Sequence, residues 1–112
     1  DQHVHEHATC FNIKGKGLVV ISSCGHAGIV NSVRQAQEVS GIQKVHAIVG
    51  GFHLGPAPKD YLTQVVAEIK KLEPDVLIPM HCSGLNFVAE ARAQMPNNVL
   101  VTTTGSRITF AA

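Results

Sequence analysis

Charge is scarce in this 112-residue chain. Asp, Glu, Lys and Arg make up 15% of it, and the net charge is +1 with the histidines neutral. That balance excludes the basic footprint of a nucleic-acid or membrane-surface protein, so neither is expected as a partner. Lys70-Lys71 reads as the solvated face of a helix. Long apolar runs are missing as well, and none reaches the ~20 residues of a membrane span. The opening Asp1-Gln2-His3 lacks the basic-then-apolar pattern of a secretory leader. A start at Asp1 rather than Met reads as a fragment, a processed product or an edited sequence. Cysteine is sparse and odd in number. Cys10, Cys24 and Cys82 cannot close a disulfide framework among themselves, which points to a reducing, cytoplasmic setting. Repeats, low-complexity tracts and linkers are lacking too. The length suits one domain, 1–112, and not two.

What the chain does have is apolar sequence, 45% of its residues, punctuated by ten glycines. Ala8 to Ile13 reads as a strand, Lys14-Gly15-Lys16-Gly17 as a turn, and Leu18 to Ser22 as a second strand, so the two form a hairpin. Leu18-Val19-Val20-Ile21 is apolar without alternation, as in a strand buried on both faces. Ile29, Val30, Val33, Ala36 and Val39 recur at helical spacing up to Gly41. Val45 to Val49 is the next strand. Pro58-Lys59-Asp60 opens a helix with Leu62, Val65, Val66, Ile69 and Leu72 on one face, and Glu73-Pro74 ends it. Asp75 to Met80 is a strand, Gly84 to Gln94 a third helix, and Val99 to Thr103 and Arg107 to Phe110 two closing strands around Gly105. Strands alternating with helices of this length predict an α/β domain with a mostly parallel sheet, an N-terminal hairpin and flanking helices.

Three of these strands run into histidines. The strand at 18–22 leads to Cys24-Gly25-His26, the strand at 45–49 to Gly50-Gly51-Phe52-His53, and the strand at 76–80 to His81-Cys82. The carboxyl ends of parallel strands gather on one edge of an open α/β sheet, where ligand sites form. Gly25, Gly50 and Gly51 permit sharp turns and close backbone approach there. One such histidine is an ordinary loop residue or cap. Three in the same topological place suggest a shared metal site, since three imidazoles hold a divalent ion and leave a position for water. His46, inside a strand, is read as a core or sheet-face residue without chemistry.

"CGHAGIVN" (24–31), "GGFHL" (50–54) and "PMHCSG" (79–84), in this order, resemble the C-terminal half of the metallo-β-lactamase superfamily. The subgroup of the dihydropterin ribofuranosylaminobenzene-phosphate synthases is the most similar. The resemblance covers the chain from the first strand to "TGSRITF". It implies one ββα-type half of an αββα sandwich, with a metal site at the edge between the halves. It implies metal-binding roles for His26 and His81, and it puts His53 where many members carry a bridging aspartate. The implied ion is zinc, with manganese or iron as other candidates. Cys24, Gly25, Gly51 and Cys82 would line the site, with Cys82 read as an inert thiol. The family's first-half signature, His-x-His-x-Asp-His, is missing in that form. "HVHEH" is a tempting short version, and strand alternation would put His3, His5 and His7 on one face. That stretch leads into a strand, however, and also reads as a solvent-facing edge or a loose end.

The implied activity is metal-dependent hydrolysis of a small molecule carrying an ester, lactone, amide or phosphate group. The subgroup leans toward phosphorylated or pterin-like compounds. A half-sandwich leaves an apolar sheet face that needs a cover, either a second copy of the chain or a missing N-terminal half. Two other classes remain. One is a non-catalytic half-domain that self-associates or binds a partner chain. The other is thiol chemistry at Cys24 or Cys82, which needs an exposed cysteine of lowered pKa.

Overall fold

The computed structural model describes residues 8–22, 28–52, 58–80, 83–102 and 108–110. Along the chain run β1 (Ala8–Ile13), β2 (Gly17–Ser22), α1 (Ile29–Ser40), β3 (Val45–Gly51), α2 (Lys59–Lys71), β4 (Val76–Met80) and α3 (Leu85–Gln94). The sheet order is β1-β2-β3-β4. β1 pairs antiparallel with β2, while β2, β3 and β4 run parallel. This is the α/β architecture expected from the strand–helix alternation, hairpin included.

Local chemistry explains the boundaries. The hairpin turns where Lys16 N–H donates to the Ile13 carbonyl and Gly15 takes a φ of 81°. α1 stops at Gly41, whose left-handed conformation lets its N–H close on the Gln37 carbonyl. α2 carries Asp60 in its first turn and Lys70 and Lys71 in its last, which suits the helix dipole. It ends as Glu73 swings to a φ of 53° ahead of Pro74.

All three helices pack on one face of the sheet. Leu18, Val20, Val45, Ile48 and Leu77 meet Ile29, Val33, Leu62, Val66, Ile69, Phe87 and Ala91 in one core. Alternation sends Val19, Ile21, Ala47, Val49 and Ile78 to the other face. There Val19, Ala47 and Ile78 are buried, while Ile21 and the neighbouring Phe11 are 38% and 52% exposed. None of the described helices lies on that side, and none is long and apolar enough to cross a membrane.

Two expectations fail. The closing strands are not strands among the described residues. The chain touches the outer edge of β4 through a single parallel bridge, Leu77 to Val99. Leu77 N–H donates to Asn98 O at 2.7 Å, and Leu100 N–H donates to Leu77 O at 2.9 Å. The next rung of a parallel ladder would need an N–H from residue 79, which is a proline, so pairing stops. Residues 108–110 are irregular as well, with the Phe110 ring edge-on to His46 at 5.9 Å. The second failure is Val39, which has the helical spacing of the α1 core face yet is 79% exposed. It lies in the last turn of α1, beyond the buried positions Ile29 and Val33.

Candidate metal centre

Parallel pairing brings the strand ends into line. Ser22 is paired with Gly50, Gly50 with Pro79, and Gly51 with Met80, so β2, β3 and β4 finish within one rung of each other. Neighbouring strands lie about 4.8 Å apart, so the three ends span about 10 Å. From this edge the chain continues toward His26, His53 and His81, which follow the last strand residues by four, two and one positions.

The edge is built from small residues for a steric reason. Gly50 has a φ of 128°, and a Cβ there would drive into the Ser22 carbonyl oxygen. Only glycine lets β3 cross β2 this closely at the end of the ladder. Gly51, a predicted lining residue, is buried and closes β3 opposite Met80.

Beyond the last rung, one hydroxyl takes over from the ladder. Ser83 is 1% exposed. Its Oγ accepts the Phe52 N–H at 3.0 Å and lies 2.9 Å from the Met80 carbonyl and 3.3 Å from the Gly50 carbonyl, the acceptors for its own proton. A single side chain thus ties the end of β3 to the end of β4. Phe52, also 1% exposed, packs edge-on against Phe87 of α3 at 5.6 Å, anchoring the same segment to the helix layer. Sequence reasoning gave neither residue a role. The one available signal was a small hydroxyl residue wedged between a strand end and the glycine that opens a helix.

The helices start from this edge. α1, α2 and α3 begin behind Gly28, Pro58 and Gly84, and among the described residues none has a side-chain cap on its first N–H groups. Helix N-termini of this kind carry partial positive charge.

Of the predicted site residues, Gly51 alone falls within the described part. His26, His53, His81, Cys24, Gly25 and Cys82 lie outside the described residues, as do His3, His5 and His7. Among the described residues there is no group of three His, Cys, Asp or Glu able to hold a metal. Cys10, on β1, is an exposed free thiol.

The opposite edge is built differently. Asp75 Oδ1 pairs with Lys44 Nζ at 2.8 Å and Oδ2 with His46 Nδ1 at 2.7 Å. The Lys44 ammonium, then the His46 ring, hold the Asp75 carboxyl below its usual range. Asn98 Nδ2 donates to the Asp75 carbonyl at 3.1 Å. His46, inside β3 as expected, tethers Asp75 at the amino end of the sheet.

No protein-family model matches the chain. A 7,8-dihydropterin-6-methyl-4-(β-D-ribofuranosyl)-aminobenzene-5′-phosphate synthase of Methanocaldococcus jannaschii is 41% identical over 75 residues, which are 67% of this chain and 25% of that protein. An uncharacterized protein of the same organism, MJ0448, is 32% identical over 80 residues, 71% of this chain and 29% of that one. The crystal structure of Tm1679, a metal-dependent hydrolase of the β-lactamase superfamily, superposes with a TM-score of 0.84 and 26% identity. That match covers 92% of this chain and 40% of the neighbour. The chain therefore spans little more than a quarter of the length of the curated relatives it matches.

Proposed function

This chain carries part of the metallo-β-lactamase superfamily fold and is related in sequence to a dihydropterin ribofuranosylaminobenzene-phosphate synthase, and from that premise we propose that it forms the C-terminal half of a metal-dependent hydrolytic centre. The observation that carries this reading is the in-register ending of β2, β3 and β4, each followed within four residues by a histidine. His26, His53 and His81 would hold a divalent ion, zinc first, with manganese or iron as alternatives. The donor chemistry fits, because neutral imidazole is a common ligand for such ions and a three-histidine set leaves a coordination position open. The small residues Ser22, Gly50 and Gly51 at the ends of β2 and β3 fit too, because they add little bulk beside the histidine-bearing segments. The chemistry the ion supplies when bound is Lewis-acid activation of water and of a substrate oxygen.

The chain's own residues supply the frame. Gly50 and Ser83 hold the strand ends together, and Phe52 and Phe87 keep bulk solvent from beneath them. The uncapped starts of α1, α2 and α3 favour an anionic substrate group, so the substrate class is a small phosphate- or carboxylate-bearing ester, lactone or amide. Pterin-like compounds are the first to test, given the printed name of the M. jannaschii relative. Elemental analysis of size-separated protein tests this reading. Near-stoichiometric metal is expected, falling in both His26→Ala and His81→Ala. A well-folded protein without metal would overturn it.

A second reading concerns the partner. The chain covers 40% of its structural neighbour, and its helix-free sheet face exposes Phe11 and Ile21. That face would dock on an N-terminal half or a second copy, and without one the chain would be a non-catalytic half-domain. A soluble monomer by light scattering, unaffected by Ile21→Glu, would count against self-association.

A further inference from the structure

We propose that Ser83 is a positioning residue for the metal centre, setting the relative placement of the segments that carry His53 and His81. This rests on the metal-binding reading above. The β3–β4 ladder ends at the pair Gly51–Met80, and past that pair Ser83 Oγ provides the described link between the two segments. Both candidate ligands lie one residue from a backbone group bound to this hydroxyl. Phe52, which donates its N–H to Ser83 Oγ, directly precedes His53, and Met80, whose carbonyl accepts from it, directly precedes His81.

The link is rigid at both ends. Ser83 Oγ is buried and has one acceptor role and one donor role filled, the proton being shared between the Met80 and Gly50 carbonyls. Phe52 is fixed from behind by Phe87, and Gly84, with a φ of 87°, starts α3 immediately after Ser83. A change in how the hydroxyl is held is thereby passed to two ligand-bearing segments at once. Groups that orient metal ligands typically carry 10–100-fold of the metal affinity.

The test is Co(II) binding to the full chain, read by competition with a chelator and by the visible absorption of the bound ion, alongside thermal unfolding of the metal-free protein. Ser83→Ala is expected to stay folded, to bind Co(II) at least about tenfold more weakly, and to show shifted absorption bands. Ser83→Thr, which keeps the hydroxyl, is expected to restore both. Wild-type affinity and spectrum in a folded Ser83→Ala protein would overturn the inference. If the Ala variant does not fold, the Thr variant decides: a folded Ser83→Thr protein with the wild-type spectrum supports the inference, and one that has lost the site overturns it. Wild-type protein that takes up no Co(II), with His81→Ala as the matched control, would instead overturn the metal reading itself.

Discussion

The two edges of the sheet solve the same problem by opposite means. At the amino edge, Asp75 closes the strand starts with an ion pair to Lys44 and a hydrogen bond to the His46 ring, and Asn98 and Phe110 add a polar and an aromatic contact. At the carboxyl edge, the described strand ends Ser22, Gly50, Gly51, Pro79 and Met80, with Ser83, carry no ionisable group. Among the described residues, that edge is held by backbone proximity and one buried hydroxyl. The amino edge spends charged side chains on holding the fold. The described residues of the carboxyl edge bring no charge of their own, and the histidine-bearing segments follow them in sequence.

This contrast can be broken by substitution, and the carboxyl edge should be the more fragile. Gly50→Ala should have the largest effect, roughly 3 kcal/mol or more, because a clash with a fixed backbone oxygen adds to the backbone strain. Gly41→Ala is its control. Gly41 has a positive φ of 75°, but a Cβ added there would meet nothing within 4 Å, so strain alone applies, about 1–2 kcal/mol. Urea unfolding midpoints separate the two, and equal losses would dissolve the contrast. Ser83→Ala should cost about 1–3 kcal/mol, since the buried Phe52 N–H loses its acceptor.

Asp75→Asn should cost less than about 1 kcal/mol at neutral pH and should fade in high salt, because Lys44 and Asp75 are half-exposed. Its pH dependence has a definite sign. The folded state holds this carboxyl below its usual value. Its contribution is therefore complete above about pH 4 and lost as pH falls through the lowered folded value. An acid titration of stability should show a shallower loss below about pH 4 in Asp75→Asn than in wild type. Smallest is a gain. Glu73 holds a φ of 53° at the end of α2, and Glu73→Gly should stabilise by roughly 0.5–1 kcal/mol in thermal melts.

Much of the framework was legible because its punctuation is local. Gly41, Pro58, Pro74 and Gly84 mark helix ends through their own backbone preferences, and the apolar run 18–21 announced a strand, though it is buried on both faces only at Leu18, Val19 and Val20 and is open at Ile21. The misreadings are non-local. Val99 to Thr103 has strand-like composition, but whether it pairs is decided by Pro79 in another element. Val39 keeps helical spacing, but it falls in the last turn of α1, beyond the buried Ile29 and Val33, and spacing alone does not show where a helix face stops being covered. Ser83 was visible in "PMHCSG", yet its role depends on Phe52 and Gly50, 31 and 33 positions away. The likeness of the three strand-end motifs to the metallo-β-lactamase superfamily was legible as well.

The parallel arrangement of β2, β3 and β4 also bears on the order of assembly. Their paired ends are nearly thirty positions apart in sequence, with a helix between each. No two of these ends can meet until a crossover has been closed against its chain entropy. An ion or substrate that engages all three ends binds only molecules in which both crossovers are complete. Bound ligand would then favour the state with both crossovers closed by mass action.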